Sequence, residues 1–283
     1  MRTIDRGAGL VSPAIASLTR LAPQFLLVGI LLPSMAAAQA PVVNAVVEHR
    51  AVANGLAREI QAIAQQGRTV WVGYRVPIVR SRGDRLNSTQ TCCGRCRLEP
   101  ATDLVMLVNV DRSGVIEIRS EAVDCDIDAS GAPLIWLDTV KPEDSVSWLA
   151  GLARDTSTRP NRFSDRALTA LALHASAAAS PVLVDFARNG ATAQLKGRAL
   201  FWLAQRAVEE AVPTIAAALD DPDTEVKKQA VFALSQLPKD EGVPRLIELA
   251  KSHRNPEVRR QAFFWLGQSK DQRAVDYFAS ILK

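Results

Sequence analysis

The chain has 283 residues, a length that allows one large domain or two smaller ones. Its hydrophobic fraction of 48% excludes an intrinsically disordered chain, because disordered chains lack the apolar residues needed to build a core. The formal net charge is +4, and half of this excess lies before Pro41. The rest of the chain is too weakly charged to predict a nucleic-acid partner, which normally requires a clustered basic face.

The N-terminal segment has the pattern of an export signal. A basic stretch that ends at Arg20 precedes the apolar run Phe25–Met35, and small residues follow up to Ala40. This order predicts a signal peptide over residues 1–38, with an alternative cleavage point after residue 40. An uncleaved anchor is the other interpretation, but the run is well short of the roughly 20 residues that cross a bilayer. We therefore expect a periplasmic or secreted protein of a bacterial envelope, with no membrane span after signal removal.

Residues 41–140 are predicted to form a small α+β domain. A helix is expected over Asn54–Gln66, because Leu56, Ile60 and Ile63 recur on one helical face. An antiparallel sheet is expected after it, since short apolar runs are separated by turn signals such as Arg112-Ser113-Gly114. These runs are Thr69–Val79, Asp103–Val110, Val115–Arg119 and Pro133–Leu137.

All the cysteines of the chain fall in this domain. They are Cys92, Cys93, Cys96 and Cys125. An even number of cysteines in an exported protein favours disulfide bonds, because such compartments are oxidising, and we expect Cys125 to be linked to the loop that holds the other three. A zinc site is one alternative, although such sites usually use two separated ligand pairs. A redox pair of Cys93 and Cys96 is another, and it would need an activated thiol. Sequence cannot choose among the pairings that four cysteines allow.

One segment recurs at a nearly constant interval through the C-terminal half of the chain. The copies begin at Phe163, Leu195, Val226 and Val258. Each has an alanine four residues after its first residue and a leucine eight residues after it, a spacing that lies on one helical face. A second helix-like stretch follows each copy, so residues 141–283 are predicted to hold about four helix pairs after an initial half-repeat near Ser145. In the turns, Asp221 and Asn255 are predicted to be N-caps.

The segments LKGRALFWLAQ, VKKQAVFALSQ and VRRQAFFWLGQ resemble HEAT repeats of the short type found in bilin-lyase-like bacterial proteins. The tetratricopeptide pattern W-x2-L-G-x2-Y is absent. As a whole, the chain is similar to exported bacterial HEAT-repeat proteins with a WVGY-VP segment and a double cysteine before the solenoid. The resemblance implies an α+β N-terminal domain followed by an all-α HEAT-type solenoid, mostly α overall. It implies no particular activity, because such repeats occur in scaffolds, lyases and hydroxylases.

The sequence offers few residues for catalysis. None of the three histidines, His49, His174 and His253, is followed by glutamate, so the His-Glu metal motifs of iron-dependent HEAT-repeat hydroxylases are absent. We interpret these histidines as ordinary surface or loop residues. A bilin-lyase activity would require a pigment system that the sequence does not reveal. We therefore predict no catalytic residue, no metal and no cofactor. The alternative interpretation is an enzyme, a metalloprotein or a redox protein whose site is the cysteine loop.

Aromatic residues recur at matching positions of the repeats, and we interpret them as core between stacked helices rather than as the lining of a groove. They are Phe201, Trp202, Phe232, Phe264 and Trp265. The last helix is expected to present an apolar end face, because solenoids usually need a polar cap and this helix has little polar surface. Its apolar residues are Val275, Tyr277, Phe278, Ile281 and Leu282.

The predicted function is a scaffold for protein–protein interaction, because each repeat adds side chains along one continuous surface. The resemblance implies that the second helix of each pair lines the concave side of the solenoid. Positions just after the proline of these helices, and three residues further on, are expected to share an exposed face. A protein or peptide partner is therefore predicted to contact Arg245 and Tyr277 as anchors, together with Thr214 and Glu248.

Overall fold

The computed structural model describes residues 42–79, 102–123, 127–129, 131–155, 163–206 and 209–282. Within these ranges, strands and one helix come first and a run of helices follows, so the predicted fold class is confirmed. The strands are β1 (Val42–Val43), β2 (Val47–Ala51), β3 (Val70–Pro77), β4 (Asp103–Asp111), β5 (Gly114–Ala122), β6 (Ile127–Asp128) and β7 (Leu134–Asp138). The helices are α1 (Leu56–Ala64), α2 (Pro142–Arg154), α3 (Ser164–Leu173), α4 (Ala179–Asn189), α5 (Ala193–Arg206), α6 (Ala211–Ala218), α7 (Thr224–Gln236), α8 (Lys239–Ser252), α9 (Pro256–Gln268) and α10 (Gln272–Ile281).

Five strands form one mixed sheet in the order β2-β7-β3-β4-β5, and β1 pairs with β6 separately. Strands β3, β4 and β5 are antiparallel, as predicted, and the hairpin between β4 and β5 turns at Arg112 and Ser113. Strands β2, β7 and β3 are parallel neighbours, so the prediction of an antiparallel sheet is wrong for this half. Parallel strands need a crossover, which α1 supplies between β2 and β3, and the alternation of side chains along a strand does not reveal its direction.

Side chains of the sheet alternate between two apolar clusters, as the period of two residues in a strand requires. On β3, Val72 and Tyr74 lie in the cluster that includes the helices, whereas Trp71 lies in a smaller cluster with Trp136 on the other face. Gly73 is required by this second cluster, because a Cβ at this position would lie 2.8 Å from the Trp136 ring. The two aromatic residues of the segment WVGY therefore lie on opposite faces of the sheet, and its glycine leaves room for the Trp136 ring.

Within the described residues, four helix pairs follow α2, and their first helices are α3, α5, α7 and α9. The shared alanines and leucines of these helices are all buried: Ala167, Ala199, Ala230 and Ala262, and Leu171, Leu203, Leu234 and Leu266. The prediction that Leu234 is buried is confirmed, since it is 2% exposed. Asn255 caps α9 as predicted, because its side chain accepts from the Glu257 N–H over 2.8 Å.

Asp221 does not cap a helix, contrary to the prediction. Helix α7 begins at Thr224, and Asp223 is its N-cap, accepting from the Glu225 N–H over 2.8 Å. The Asp221 carboxylate instead accepts from the Asp223 N–H and from Lys196 Nζ of the preceding repeat. The cap therefore lies two residues further along the chain than predicted, and Asp221 makes a contact between repeats instead.

The sheet joins the helices through backbone as well as side chains. The Val79 N–H donates to the Leu173 carbonyl and the Ala175 N–H donates to the Pro77 carbonyl, both over 2.8 Å. The end of β3 is thus paired with the end of α3. One apolar cluster also contains residues of both regions, which belong to one compact unit.

Candidate functional site

A buried polar network lies where the sheet meets the first helices. The Tyr74 hydroxyl on β3 is 2.8 Å from Ser145 Oγ on α2, and Ser145 Oγ is 2.8 Å from His174 Nε2, just after α3. His174 Nδ1 lies 2.7 Å from the Ala170 carbonyl. All three side chains are fully buried. The network therefore fastens three elements whose polar groups are 71 and 29 residues apart in sequence.

The direction of every hydrogen bond in this network follows from its end at Ala170. A carbonyl only accepts, so His174 Nδ1 carries the proton and Nε2 accepts from the Ser145 hydroxyl. The Ser145 oxygen then accepts from the Tyr74 hydroxyl. Burial lowers the pKa of His174 to about 4, and burial raises the pKa of Tyr74. The network is therefore neutral at pH 7. Each of its three hydrogens, on Tyr74, Ser145 and His174, takes part in a hydrogen bond.

A serine–histidine pair is the arrangement of a nucleophile and its base, but here it has a structural role. Both side chains are fully buried, and the position of an orienting carboxylate at Nδ1 is taken by a carbonyl. The interpretation of His174 as a surface or loop residue is wrong. Nothing in the sequence indicates the network, because its members come from three separate elements. His49 is exposed on β2, and its Nδ1 lies 3.1 Å from Asp138.

Arg206 connects the second repeat to the place where the sheet meets the first helices. Its guanidinium donates to the carbonyls of Ala172 and His174 over 2.7 and 2.9 Å, at the C-terminal end of α3. Burial lowers the pKa of Arg206. A cation at these carbonyls is favourable because the C-terminal end of a helix is its negative end. The end of α5 is thereby tied to the end of α3.

A cleft of about 860 Å³ lies where the first helices of the last three pairs end. The ends of α5, α7 and α9 line it, together with the start of α8. Its charged lining consists of Lys239 and Lys270 with Asp240 and Glu241. Two basic and two acidic side chains therefore leave the lining of the cleft without net charge.

A row of three glutamines lines this cleft and is called the amide row here: Gln205, Gln236 and Gln268. Gln205 Nε2 donates to Gln236 Oε1 over 3.3 Å, and Gln236 Nε2 donates to Ser235 Oγ over 3.0 Å. The Ser235 hydroxyl donates in turn to the Phe232 carbonyl. These bonds orient the first two amides. The Gln268 side chain is exposed, and it makes no hydrogen bond within the ranges that the structure describes.

An aromatic row, consisting of Phe201, Phe232, Phe264 and Trp265, runs beside the amide row. Phe201 stacks on Phe232 with ring centroids 5.7 Å apart, and Phe232 lies 4.9 Å from Trp265. Phe264 packs edge-on against Trp265 and is 53% exposed. The interpretation as core holds for Trp202, which is 6% exposed, but it is wrong for Phe264. Each phenylalanine of the row lies two residues, or about 200°, from the buried alanine of its helix.

Within the described residues, the indole of Trp265 has a hydrogen-bond donor that is buried and unused. Its Nε1 is buried and has no acceptor within the described part of the chain, and its side chain lines the cleft. A buried donor without an acceptor costs about 1–3 kcal/mol. The amide row was not predicted from the sequence. A signal for it was present, because a glutamine follows the shared alanine by six residues in all three aligned segments.

The residues predicted to bind a partner do not form one exposed face. Thr214 and Tyr277 are buried, so their assignment to an exposed face is wrong. Thr214 lies on the buried stripe of α6, and Tyr277 follows buried Ala274 by three residues on α10. Arg245 is half-buried and donates to the Glu241 carbonyl over 2.7 Å, whereas Glu248 is exposed. Spacing from a proline failed because a proline does not determine which face of its helix packs against the neighbouring helices, and α10 contains no proline.

The four cysteines and their predicted disulfide lie outside the described residues. In the ranges that the structure covers, no group of three or more histidines, cysteines, aspartates or glutamates is placed to hold a metal ion. No helix of those ranges has both the length and the apolar character needed to cross a membrane.

Comparison with known proteins identifies the repeats. The family model of HEAT repeats matches residues 180–252. This part of the chain is a HEAT-type array. No curated protein matches the sequence of the chain.

Three solved structures are similar to part of this chain. Human deoxyhypusine hydroxylase in complex with glycerol is 23% identical, with a TM-score of 0.35, over 48% of this chain and 43% of its own. YibA of Escherichia coli is 21% identical, with a TM-score of 0.34, over 50% of this chain and 54% of its own. An engineered protein is 21% identical, with a TM-score of 0.26, over 50% of this chain and 64% of its own. This chain therefore spans less than two thirds of each of them.

Proposed function

We propose that the protein is an exported scaffold that binds another protein through the outer face of its first helices. One observation carries the proposal: the aromatic row and the amide row cross three consecutive repeats and end in the exposed residues Phe264 and Gln268. Phe264 on this face is more than half exposed, which is costly for an aromatic side chain in water. Exposed apolar surface bordered by polar groups is typical of sites where proteins bind.

The rigid joint between sheet and helices supports this role. Tyr74, Ser145 and His174 fasten the sheet to α2 and α3, while Arg206 fastens α5 to the same place. A surface held in one conformation before binding loses less entropy when its partner arrives. The rows on α5, α7 and α9 are therefore presented on a preformed support.

Export to a bacterial envelope is supported by the N-terminal pattern of basic, apolar and small residues. Expression of the full chain with a C-terminal tag, cell fractionation and N-terminal sequencing test this. We expect tagged protein in the envelope fraction with a new N-terminus after Ala38 or Ala40. Tagged protein that stays in the cytosol and still begins at Met1 would contradict export.

Binding is tested with the tagged protein crosslinked in an envelope extract, followed by titration of the purified captured partner. Phe264→Ser removes an exposed ring of the aromatic row, and we expect affinity to fall at least tenfold. Val275→Ser is the matched control, because Val275 is also 53% exposed but belongs to α10, outside both rows. Unchanged affinity in Phe264→Ser, or an equal loss in Val275→Ser, would show that a different surface binds the partner.

A further inference from the structure

We propose that α10 binds α10 of a second copy of this chain in antiparallel orientation, so that two copies associate through an apolar strip on this helix. The strip consists of Val275, Ala279 and Leu282, and all three residues are exposed. Val275 is 53% exposed and Leu282 is 85% exposed. Residues spaced by four and then by three positions lie on one face of a helix. Association of two copies goes beyond the proposed binding of a different protein.

The same strip is covered in the preceding repeat. The segments GVPRLIELA of α8 and AVDYFASIL of α10 align, so the residues of α8 that match the strip are Val243, Ile247 and Ala250. Val243 and Ala250 are each only 4% exposed, and Ile247 is partly buried against the core. Lys251 Nζ lies 5.4 Å from the centre of the Tyr277 ring on α10, so this side of α8 faces the next repeat. The strip is therefore the surface that one repeat presents to the next, and on α10 no described residue covers it.

The order of large and small residues makes this surface complementary to itself. In an antiparallel pair of identical helices related by a two-fold axis, each contact occurs twice with its two residues exchanged. When the axis passes midway between Phe278 and Ala279, these two residues meet across the pair. In the same register, Val275 of one copy meets Leu282 of the other. Each contact joins a larger side chain to a smaller one, which is the combination that lets two helix surfaces interdigitate.

Charge does not oppose the pairing. Helix α10 carries one basic and one acidic residue, Arg273 and Asp276. In the antiparallel register Asp276 faces Ile281 of the other copy, so no two like charges meet. Antiparallel helices also place opposite ends of their dipoles side by side, which is favourable. A helix that binds an anionic lipid surface normally has several basic residues on its polar face, and α10 has only one.

The expected association is weak and reversible. Helix α10 has 10 residues and is therefore about 15 Å long. A pair of such helices buries less than the roughly 1,200 Å² at which stable interfaces begin, which is the range of transient contacts. We therefore expect a dissociation constant in the micromolar range, and a monomer at high dilution.

Sedimentation equilibrium of the purified full chain tests the association at protein concentrations from about 1 μM to about 1 mM, the range in which a weak interface dissociates. We expect wild type to change from monomer to dimer, while non-reducing electrophoresis of the same samples excludes dimers linked by cysteines. Leu282→Asp puts a charge into the strip and should raise the dissociation constant at least tenfold. Val46→Asp is the matched control, because Val46 is 80% exposed but lies just before β2. A wild type that stays monomeric, or an equal loss in Val46→Asp, would overturn the proposal.

Compensating charges test the antiparallel register. Val275→Lys alone and Leu282→Asp alone should each weaken the dimer. The double variant should associate more tightly than either, because each new lysine then meets an aspartate of the other copy. In a parallel pair, lysine would meet lysine, and the double variant would be the weakest of the three. Failure of the double variant to recover would therefore overturn the antiparallel pairing.

Vesicles of phosphatidylethanolamine and phosphatidylglycerol distinguish a second copy from a lipid surface. They should not carry the protein into the pellet. Sedimentation with vesicles that Leu282→Asp abolishes, in a protein that stays monomeric without them, would assign the strip to lipid and overturn the proposal.

The dimer and the proposed function fail separately, because association is measured without the captured partner. Val275→Ser should weaken the dimer and leave affinity for the partner unchanged. Phe264→Ser should weaken binding of the partner and leave the dimer intact, since Phe264 lies on α9, outside the strip.

Discussion

The sheet region and the repeat region are stabilised over very different distances along the chain. His49 of β2 contacts Asp138 of β7, 89 residues away, whereas Arg198 of one repeat pairs with Asp165 of its neighbour, 33 residues away. Contacts between adjacent repeats make stability a sum of local terms, whereas a sheet with distant pairings forms as a whole. We therefore expect a destabilising mutation to weaken the whole sheet if it lies in the sheet, and to weaken only neighbouring helices if it lies in a repeat.

The largest effects come from two matched core truncations, one in each region. Leu234→Ala in α7 and Leu137→Ala in β7 each remove a buried leucine and should each cost about 2–5 kcal/mol of unfolding free energy. Hydrogen exchange should then distinguish them. Leu234→Ala should lose protection mainly in α5 to α9, and Leu137→Ala throughout the sheet. Equal patterns would mean that both regions unfold as one unit, and an unchanged stability of Leu234→Ala would contradict the repeat register.

A disulfide is expected to stabilise only the sheet region, since no cysteine occurs after Cys125. Closing a loop of about 30 residues between Cys125 and the loop that holds Cys96 should contribute about 3–4 kcal/mol. Reduction should therefore lower the unfolding free energy of the sheet more than that of the repeats. Peptide mapping of freshly purified, non-reduced protein checks the bond, and a free Cys125 would overturn the prediction.

Acid should weaken the joint between the two regions through His174. Burial holds the pKa of His174 at about 4, below the ordinary value of about 6.5 that it regains on unfolding. The unfolded state thus binds the proton first. The contribution of the neutral histidine is complete above pH 6.5 and is lost as the pH falls towards 4, a change of about 3 kcal/mol.

Urea denaturation of wild type and His174→Gln at pH 7.5, 5.5 and 4.5 isolates this contribution from that of the carboxylates. The difference in stability between the two proteins should shrink or reverse at acid pH, because glutamine does not titrate. A difference that is constant across these pH values would show that His174 does not limit acid stability.

The smallest expected effect is that of the ion pair between neighbouring repeats. Arg198 Nε lies 2.5 Å from Asp165, but both side chains are nearly half exposed, so their coupling should be only about 0.2–1 kcal/mol. A double-mutant cycle with Arg198→Ala and Asp165→Ala measures it, and high salt should reduce it. A coupling several times larger than this range would mean that charged contacts, more than the apolar faces, hold the repeats together.

The sequence by itself determined the register of the helix pairs and the buried face of their first helices. The alanines and leucines that recur four residues apart, such as Ala230 and Leu234, are buried as predicted because helical periodicity is a local property. The apolar pattern also predicted β3, β4, β5 and β7, since alternation within a strand needs only its own residues.

Tertiary structure alone decided the remaining features. The parallel pairing of β2 with β7 depends on a partner strand almost ninety residues away, which no local pattern specifies. The neutral network of Tyr74, Ser145 and His174 arises because three separate elements converge where water is excluded. The burial of Thr214 and Tyr277, and the unused donor of Trp265, likewise depend on how each helix is rotated against its neighbours. Sequence spacing gives the position of a residue on its own helix, whereas packing decides which positions are covered.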